Sequence, residues 1–219
     1  MSTQVRISPY QRIAQGILRR VRRVTASPVP AVPSIPEAPP IPNFHAMPVD
    51  VTEATLTQEE RSLIRELVLE SAAFPGPIIE VGTLLGATTM WMALAKKPEQ
   101  RIMTVDNYCW NPWYLTPKMH EALTAHCLYS LRETGHVEQV VMGKNEFFAS
   151  YDGPPPAMVF LDAWHTYEET KRDIDWALSL KTPIIAGHDY CDLWPGVIQA
   201  VEESGGAARL RGSVWVLPT

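Results

Sequence analysis

Short runs of apolar side chains alternate, from Thr57 onward, with longer stretches in which apolar residues recur every three or four positions. The short runs read as strands at 78–81, 102–105, 137–141, 157–161 and 183–186. Between them the 3.6-residue spacing predicts helices at 86–95, 117–134, 166–179 and 195–204, with a short one near 146–150. An earlier helix opens at the capping box Thr57-Gln-Glu-Glu60, carries Leu63, Ile64, Leu67 and Val68 on one face, and stops at Pro75-Gly76-Pro77. Asp192 is placed to cap the helix that begins at Pro195. Glu168, Glu169, Lys171 and Arg172 take the solvated side of a helix whose other face holds Ile174, Ala177 and Leu178. Strands alternating with helices predict an α/β domain, a mostly parallel sheet with helices on both faces. The tail from Arg209 to Leu217, turning at Gly212 and Ser213, predicts a hairpin that adds an antiparallel strand in the edge region.

Before residue 51 the pattern is different. Residues 1–25 set Ile13, Ile17, Leu18, Val21 and Val24 at helical spacing among six arginines, with no acid. Such a basic amphipathic arm can lie on an anionic membrane surface, dock on a partner protein, or stay a solvated extension. Residues 26–50 hold eight prolines and form an extended tether that cannot build a core. Residues 51–219 are then the catalytic-sized domain. The net charge of −5 conceals an acidic body, with 13 basic against 24 acidic side chains once the arm is set aside. That balance argues against a nucleic-acid partner, which wants a basic face. Cys109, Cys127 and Cys191 form an odd set without zinc-type spacing, so a reducing compartment is expected. No apolar run approaches the roughly 18 residues of a spanning helix, and arginines stand where a secretion signal needs its apolar centre. The expectation is a soluble, cytoplasmic protein, peripheral to a membrane if the arm binds one. Whether it is a monomer or a homo-oligomer is left open.

Candidate chemistry gathers at the predicted strand ends, where open α/β sheets bind ligands. After strand 78–81 the chain reads Glu80-Val-Gly82-Thr83-Leu-Leu-Gly86-Ala-Thr88. Two glycines let the backbone turn and approach a ligand, and the helix that follows offers free amides and the positive end of its dipole. A dinucleotide site would want G-x-G-x-x-G. An acid closing the strand better suits a ligand with a positive end, such as the amino group of S-adenosylmethionine (SAM). A tight turn without any ligand is the plainer alternative. Asp106 ends the second strand and can accept ribose hydroxyls or cap a helix. The loop Asn107-Tyr108-Cys-Trp110-Asn-Pro-Trp113-Tyr114 either walls a pocket or lies buried beneath the proline tether. Lys144 and Asn145 are placed to meet an adenine edge.

The fourth and fifth strand ends read Leu161-Asp162-Ala-Trp-His165 and Gly187-His188-Asp189-Tyr190. Carboxylates on neighbouring strands facing one cleft repel unless a divalent cation or a proton sits between them. His165, three residues past Asp162, has the right ordinary pKa for a base, or else bonds to backbone at its helix start. His188 joins the candidate metal ligands or serves as a supporting or core histidine.

Taken together these pieces resemble the class I SAM-dependent methyltransferases, specifically the family-24 methyltransferase domain that includes macrocin-type sugar O-methyltransferases and cephalosporin-pathway relatives. The resemblance runs over about residues 56–217 and rests on Glu80-Val-Gly82 with Gly86-Ala-Thr88, on Val105-Asp106, on Leu161-Asp162-x-x-His165-x-Tyr167-Glu168 with Asp173, and on Gly187-His188-Asp189-Tyr190 followed by Gly196-Val197. It implies a Rossmann-like, seven-stranded sheet with one antiparallel strand. It also implies SAM over the glycine loop, contacted by Glu80, Gly82, Thr83, Gly86, Thr88, Asp106, Asn107, Lys144, Asn145 and Asp162. Magnesium at Asp162 and Asp189, with His188 beside them, and His165 as base would follow. Tyr108, Trp110, Trp113 and Tyr190 would face the acceptor, a small molecule or glycan presenting a vicinal diol or catechol. The sequence departs from the pattern at Leu84, where no central glycine stands, and at His188, where an acid is common. Two other readings stay open, a SAM-binding module without turnover and an NAD-dependent oxidoreductase.

Overall fold

The computed structural model describes residues 56–218, so the basic arm (1–25) and the proline-rich tether (26–50) lie outside the described residues. Helix α1 (Gln58–Ser71) starts at its capping box. Glu60 donates its amide to Thr57 Oγ1 at 3.3 Å, and its Oε2 accepts the Thr57 amide at 2.7 Å. Its inward Leu63, Ile64, Leu67 and Val68 are fully buried, each contributing about 1.5–3 kcal/mol.

The chain then alternates as expected: β1 (Ile78–Val81), α2 (Ala87–Ala95), β2 (Ile102–Asp106), α3 (Pro117–Cys127), α4 (Tyr129–Glu133), β3 (Val137–Val141), α5 (Lys144–Ser150), β4 (Met158–Leu161), α6 (Tyr167–Ser179), β5 (Ile185–Gly187), α7 (Pro195–Glu203), β6 (Arg209–Arg211) and β7 (Val214–Val216). Seven strands form one sheet in the order β3-β2-β1-β4-β5-β7-β6. β1 to β5 are parallel, and β7 runs antiparallel to both of its neighbours. This is the α/β, Rossmann-like arrangement with one antiparallel strand that the sequence leads one to expect. Neighbouring residues of β1 show why the strands lack polar alternation. Ile78 packs on the side of α1 and α2, Ile79 on the side of α6 and α7, and both are fully buried.

Three local departures from the sequence reading have physical causes. The helix expected at 117–134 breaks at Leu128, whose side chain is fully buried and abuts Gly86. The fifth strand starts at Ile185 rather than residue 183, because Pro183 has no amide to give a ladder. Trp194, not Asp192, occupies the N-cap of α7, and no side chain bonds to that cap.

The strand order reverses between β1 and β4, which leaves a crevice beyond their carboxyl ends. Among the described residues no helix is long and apolar enough to cross a membrane. Among the described residues, Cys109, Cys127 and Cys191 form no disulfide.

Candidate active site

The loop after β1 fits against the end of β4 only because residue 82 is glycine. Gly82 has φ +98°, and a β-carbon there would lie 2.0 Å from the carbonyl oxygen of Asp162. Gly86, at φ +82°, opens α2. Between them Leu84 also has a left-handed φ of +49°, costly for a residue with a β-carbon. Two side chains of α3 hold it there, Thr124 donating to the Leu84 carbonyl at 2.5 Å and His120 Nε2 lying 3.0 Å from the same oxygen. Asp106 braces the loop from the other side. Its Oδ2 accepts the amides of Thr83 (2.9 Å) and Leu84 (3.1 Å), and its Oδ1 accepts that of Tyr108 (2.8 Å). Three of roughly four acceptor positions on this carboxylate therefore serve the backbone.

A cavity of about 350 Å³ opens over this loop. Of the residues singled out from the sequence, it brings together Gly82, Thr83, Thr88, Asp106, Asn107, Trp110, Lys144, Asp162, His165, His188 and Asp189. Others do not reach it. Glu80 is wholly buried behind the loop, its Oε2 accepting from Thr104 at 2.6 Å and from Thr89. Burial, followed by the Asp162 and Asp106 charges and opposed by those two hydroxyls, pushes its carboxyl up to about 8. It stands outside the cavity lining, where the sequence reading expects it to contact the donor. Gly86 shapes the turn from outside the lining. Tyr108 is fully buried under the aromatic loop, its hydroxyl accepting from Gln139 at 2.7 Å and its ring set edge-on to His120. It cannot stack on an acceptor. Trp113 packs against Leu85 and Ala87, Asn145 lies outside the lining, and the Tyr190 hydroxyl donates to Glu202 at 2.6 Å. Lys144 does line the cavity, but its ammonium is turned to Asp173 and to Glu169, 3.0 Å away.

At the cavity's β4–β5 end lies a cluster of opposite charges. Asp162, His188 and Asp189 offer ligand atoms within 4.8 Å of one another. His165 Nε2 sits 2.8 Å from Asp189 Oδ2 and 3.7 Å from Asp162 Oδ1, buried and without hydrogen-bond alignment to either. Its ring tilts over Trp194 at 4.6 Å. Burial would lower the pKa of His165, yet Asp162 and Asp189 outweigh it and raise the imidazole to about 9. His188 is raised to about 9 in the same way, burial being overcome by Glu60, Asp162 and Asp189. Burial opposes ionisation of Asp189, and the two histidines overcome it to hold the carboxyl below its ordinary value. Asp189 itself adopts a left-handed φ of +62°, a strained conformation of the kind that clusters at functional sites.

The residues fit a divalent cation. Two carboxylates and an imidazole converge there, their ligand atoms within 4.8 Å of one another. Sequence reasoning misses His120 and Thr124, although four residues apart on one predicted helix face they form a polar stripe. It also misses Trp164 and Trp194, which line the cavity beside His165. In the sequence Glu60 reads only as a cap and Ser213 only as a turn, yet both contact His188.

A family model described as a methyltransferase domain matches residues 79–190. No curated protein matches the sequence. Similar solved structures include CalS11, a TDP-rhamnose 3'-O-methyltransferase of calicheamicin biosynthesis (18% identity, 97% of this chain and 96% of that one, TM-score 0.58). TomG from Streptomyces achromogenes, an O-methyltransferase of tomaymycin synthesis solved with SAM, is also 18% identical (98% and 89% covered, TM-score 0.55). An O-methyltransferase from Bacillus cereus in complex with SAH is 15% identical (88% and 78%, TM-score 0.52). At these identities the likeness establishes the shared fold.

Proposed function

Because the chain belongs to the methyltransferase-domain family and is a SAM-dependent methyltransferase, we propose that it methylates a hydroxyl oxygen of a small molecule or sugar, assisted by a divalent cation at Asp162, His188 and Asp189. The convergence of those three side chains, with His165 beside them in the SAM cavity, is the observation that carries this reading. With the family established, the NAD-dependent oxidoreductase drops out.

SAM brings a methyl group already activated by its sulfonium, so the protein must align an acceptor oxygen and take its proton. A cation held by these residues, magnesium by the hardness of its carboxylate ligands, would supply Lewis acidity that lowers the acceptor hydroxyl's pKa. The glycine loop and the start of α2 cradle the donor, with Asp106 keeping the loop in register. His165 keeps its proton while Asp162 and Asp189 are uncompensated, and it becomes competent as a base once their charge is balanced. Trp110 and Trp164, both lining the cavity and about half exposed (44% and 52%), offer flat apolar faces to a sugar or aromatic ring. A vicinal diol or catechol suits a site that must both hold and deprotonate an oxygen. CalS11, which acts on TDP-rhamnose, supports a sugar acceptor.

The test is transfer of labelled methyl from SAM to a panel of vicinal diols, catechols and nucleotide sugars, with magnesium and with a chelator. Magnesium-dependent methylation at oxygen is expected, and it should vanish in Asp189→Asn. Transfer undiminished by chelation would overturn the metal's role. Tight SAM binding with no product in either condition would favour a binding module without turnover.

A further inference from the structure

His188 is held from behind by two residues outside the family-matched segment. Glu60, in α1, is 4% exposed, and both its oxygens are acceptors: Oε2 takes the Thr57 amide at 2.7 Å and Oε1 the Ser213 amide at 2.8 Å. The Ser213 hydroxyl also donates to Glu60 Oε1 at 2.8 Å. A hydroxyl has one proton to give, so towards His188 Nε2, 2.9 Å away, Ser213 Oγ acts as acceptor. His188 Nε2 lies 3.3 Å from Glu60 Oε1 as well, a contact that only an Nε2–H makes favourable. The proton order is therefore His188 Nε2–H to Ser213 Oγ, and Ser213 Oγ–H to Glu60. Three further features fix this arrangement. Trp215 Nε1 donates to the His188 carbonyl at 3.0 Å, the Tyr190 amide donates to the Ser213 carbonyl at 3.0 Å, and Gly212 leaves room for the Glu60 carboxylate where a β-carbon would come within 2.6 Å of Oε1. On the opposite edge of the ring, Nδ1 faces Asp189 Oδ1 at 3.6 Å and Asp162 Oδ1 at 3.9 Å.

We propose that Glu60 and Ser213 are positioning residues that reserve Nε2 of His188 for the proton and turn Nδ1 towards Asp162 and Asp189 as the metal-binding atom. This rests on the metal reading above and assigns to His188 a defined ligand atom. A histidine in place of an acid beside Asp189 thus keeps the site's donor set because α1 and the β6–β7 hairpin orient it. Residues that orient a ligating histidine in this way commonly contribute roughly tenfold to hundredfold in metal affinity.

Calorimetric titration of the SAM-bound protein with Mg²⁺ would compare wild type, Glu60→Gln, Ser213→Ala and Thr57→Ala. The last removes the hydroxyl arm of the capping box without touching His188, so it controls for a helix merely weakened at its start. Glu60→Gln and Ser213→Ala are expected to bind Mg²⁺ roughly tenfold to hundredfold more weakly, with Thr57→Ala unchanged. Imidazole ¹⁵N spectra of the Mg²⁺-loaded wild type should show His188 protonated at Nε2. A proton at Nδ1, or wild-type Mg²⁺ affinity in both Glu60→Gln and Ser213→Ala, would overturn this inference alone. Absence of Mg²⁺ binding to the wild type would overturn the metal reading and this inference with it.

Discussion

Replacing Gly82 with alanine should damage stability and donor binding together, because that glycine joins the SAM loop to the residue that carries Asp162. At φ +98° a β-carbon would lie 2.0 Å from the Asp162 carbonyl oxygen, 2.5 Å from its carbon and 3.0 Å from the Ala163 nitrogen. All three are backbone atoms, so no rotamer change relieves the clash. Relief requires the loop and the end of β4 to part by more than an ångström, which strains the bonds from the Gly82 amide to Val105 (2.9 Å) and from the Asp162 amide to Val81 (2.8 Å). A left-handed conformation costs a residue with a β-carbon about 1–2 kcal/mol, and overpacking about 1–3 kcal/mol more. For a domain of this size the sum corresponds to a melting temperature lower by roughly 5–15 °C. Moving the loop also detaches its amides from Asp106, so SAM affinity should fall at least about tenfold. Gly143→Ala is the matched control, since φ there is −65° and no atom lies within 4 Å of the position an added methyl would take. Scanning calorimetry and SAM titration calorimetry would read both effects. A Gly82→Ala protein that melts with the control and binds SAM like wild type would refute the reasoning.

Two other substitutions test ionisable groups buried near the site. Glu80 has a folded pKa of about 8 against an ordinary 4.5, so the folded state holds the extra proton between those values. Its contribution is therefore complete below pH 4.5 and lost as pH rises towards 8, and urea melts should show wild type losing on the order of 2 kcal/mol more than Glu80→Gln between pH 6 and 8. Equal slopes would mean that Glu80 is ionised in the folded protein. Lys144→Ala leaves Asp173, 2% exposed, without its cation and should cost about 3–5 kcal/mol, much of it recovered in the double variant with Asp173→Leu. Additive losses in that double-mutant cycle would show that the two do not interact.

The sheet is legible in the sequence because both faces of its central strands are covered, which turns each strand into an unbroken apolar run. The glycine loop is legible too, since Gly82 and Gly86 follow such a run and precede a helix. Asp162, His165 and Asp189 stand out because strand ends are where ligands sit, and the structure gathers them. Glu80 lies behind the loop for a reason present in the sequence: it stands inside the apolar run Ile78-Ile79-Glu80-Val81, a strand covered on both faces. Tyr108 cannot be separated from Trp110 by composition, because only the turn at φ +55° sends its side chain inward. The break at Leu128 depends on what Gly86 leaves room for, a contact between distant segments. No spacing rule connects Glu60 with Ser213, 153 residues apart, and their meeting at His188 comes from the fold alone.

The central claim is that a divalent cation sits between the ends of β4 and β5. An anomalous difference map from crystals grown with Mn²⁺ and a non-reactive SAM analogue tests it most directly. A peak bonded to Asp162, Asp189 and Nδ1 of His188 is expected, with Nε2 still facing Ser213. A map without a peak there, with His165 still lying between the two carboxylates, would contradict it.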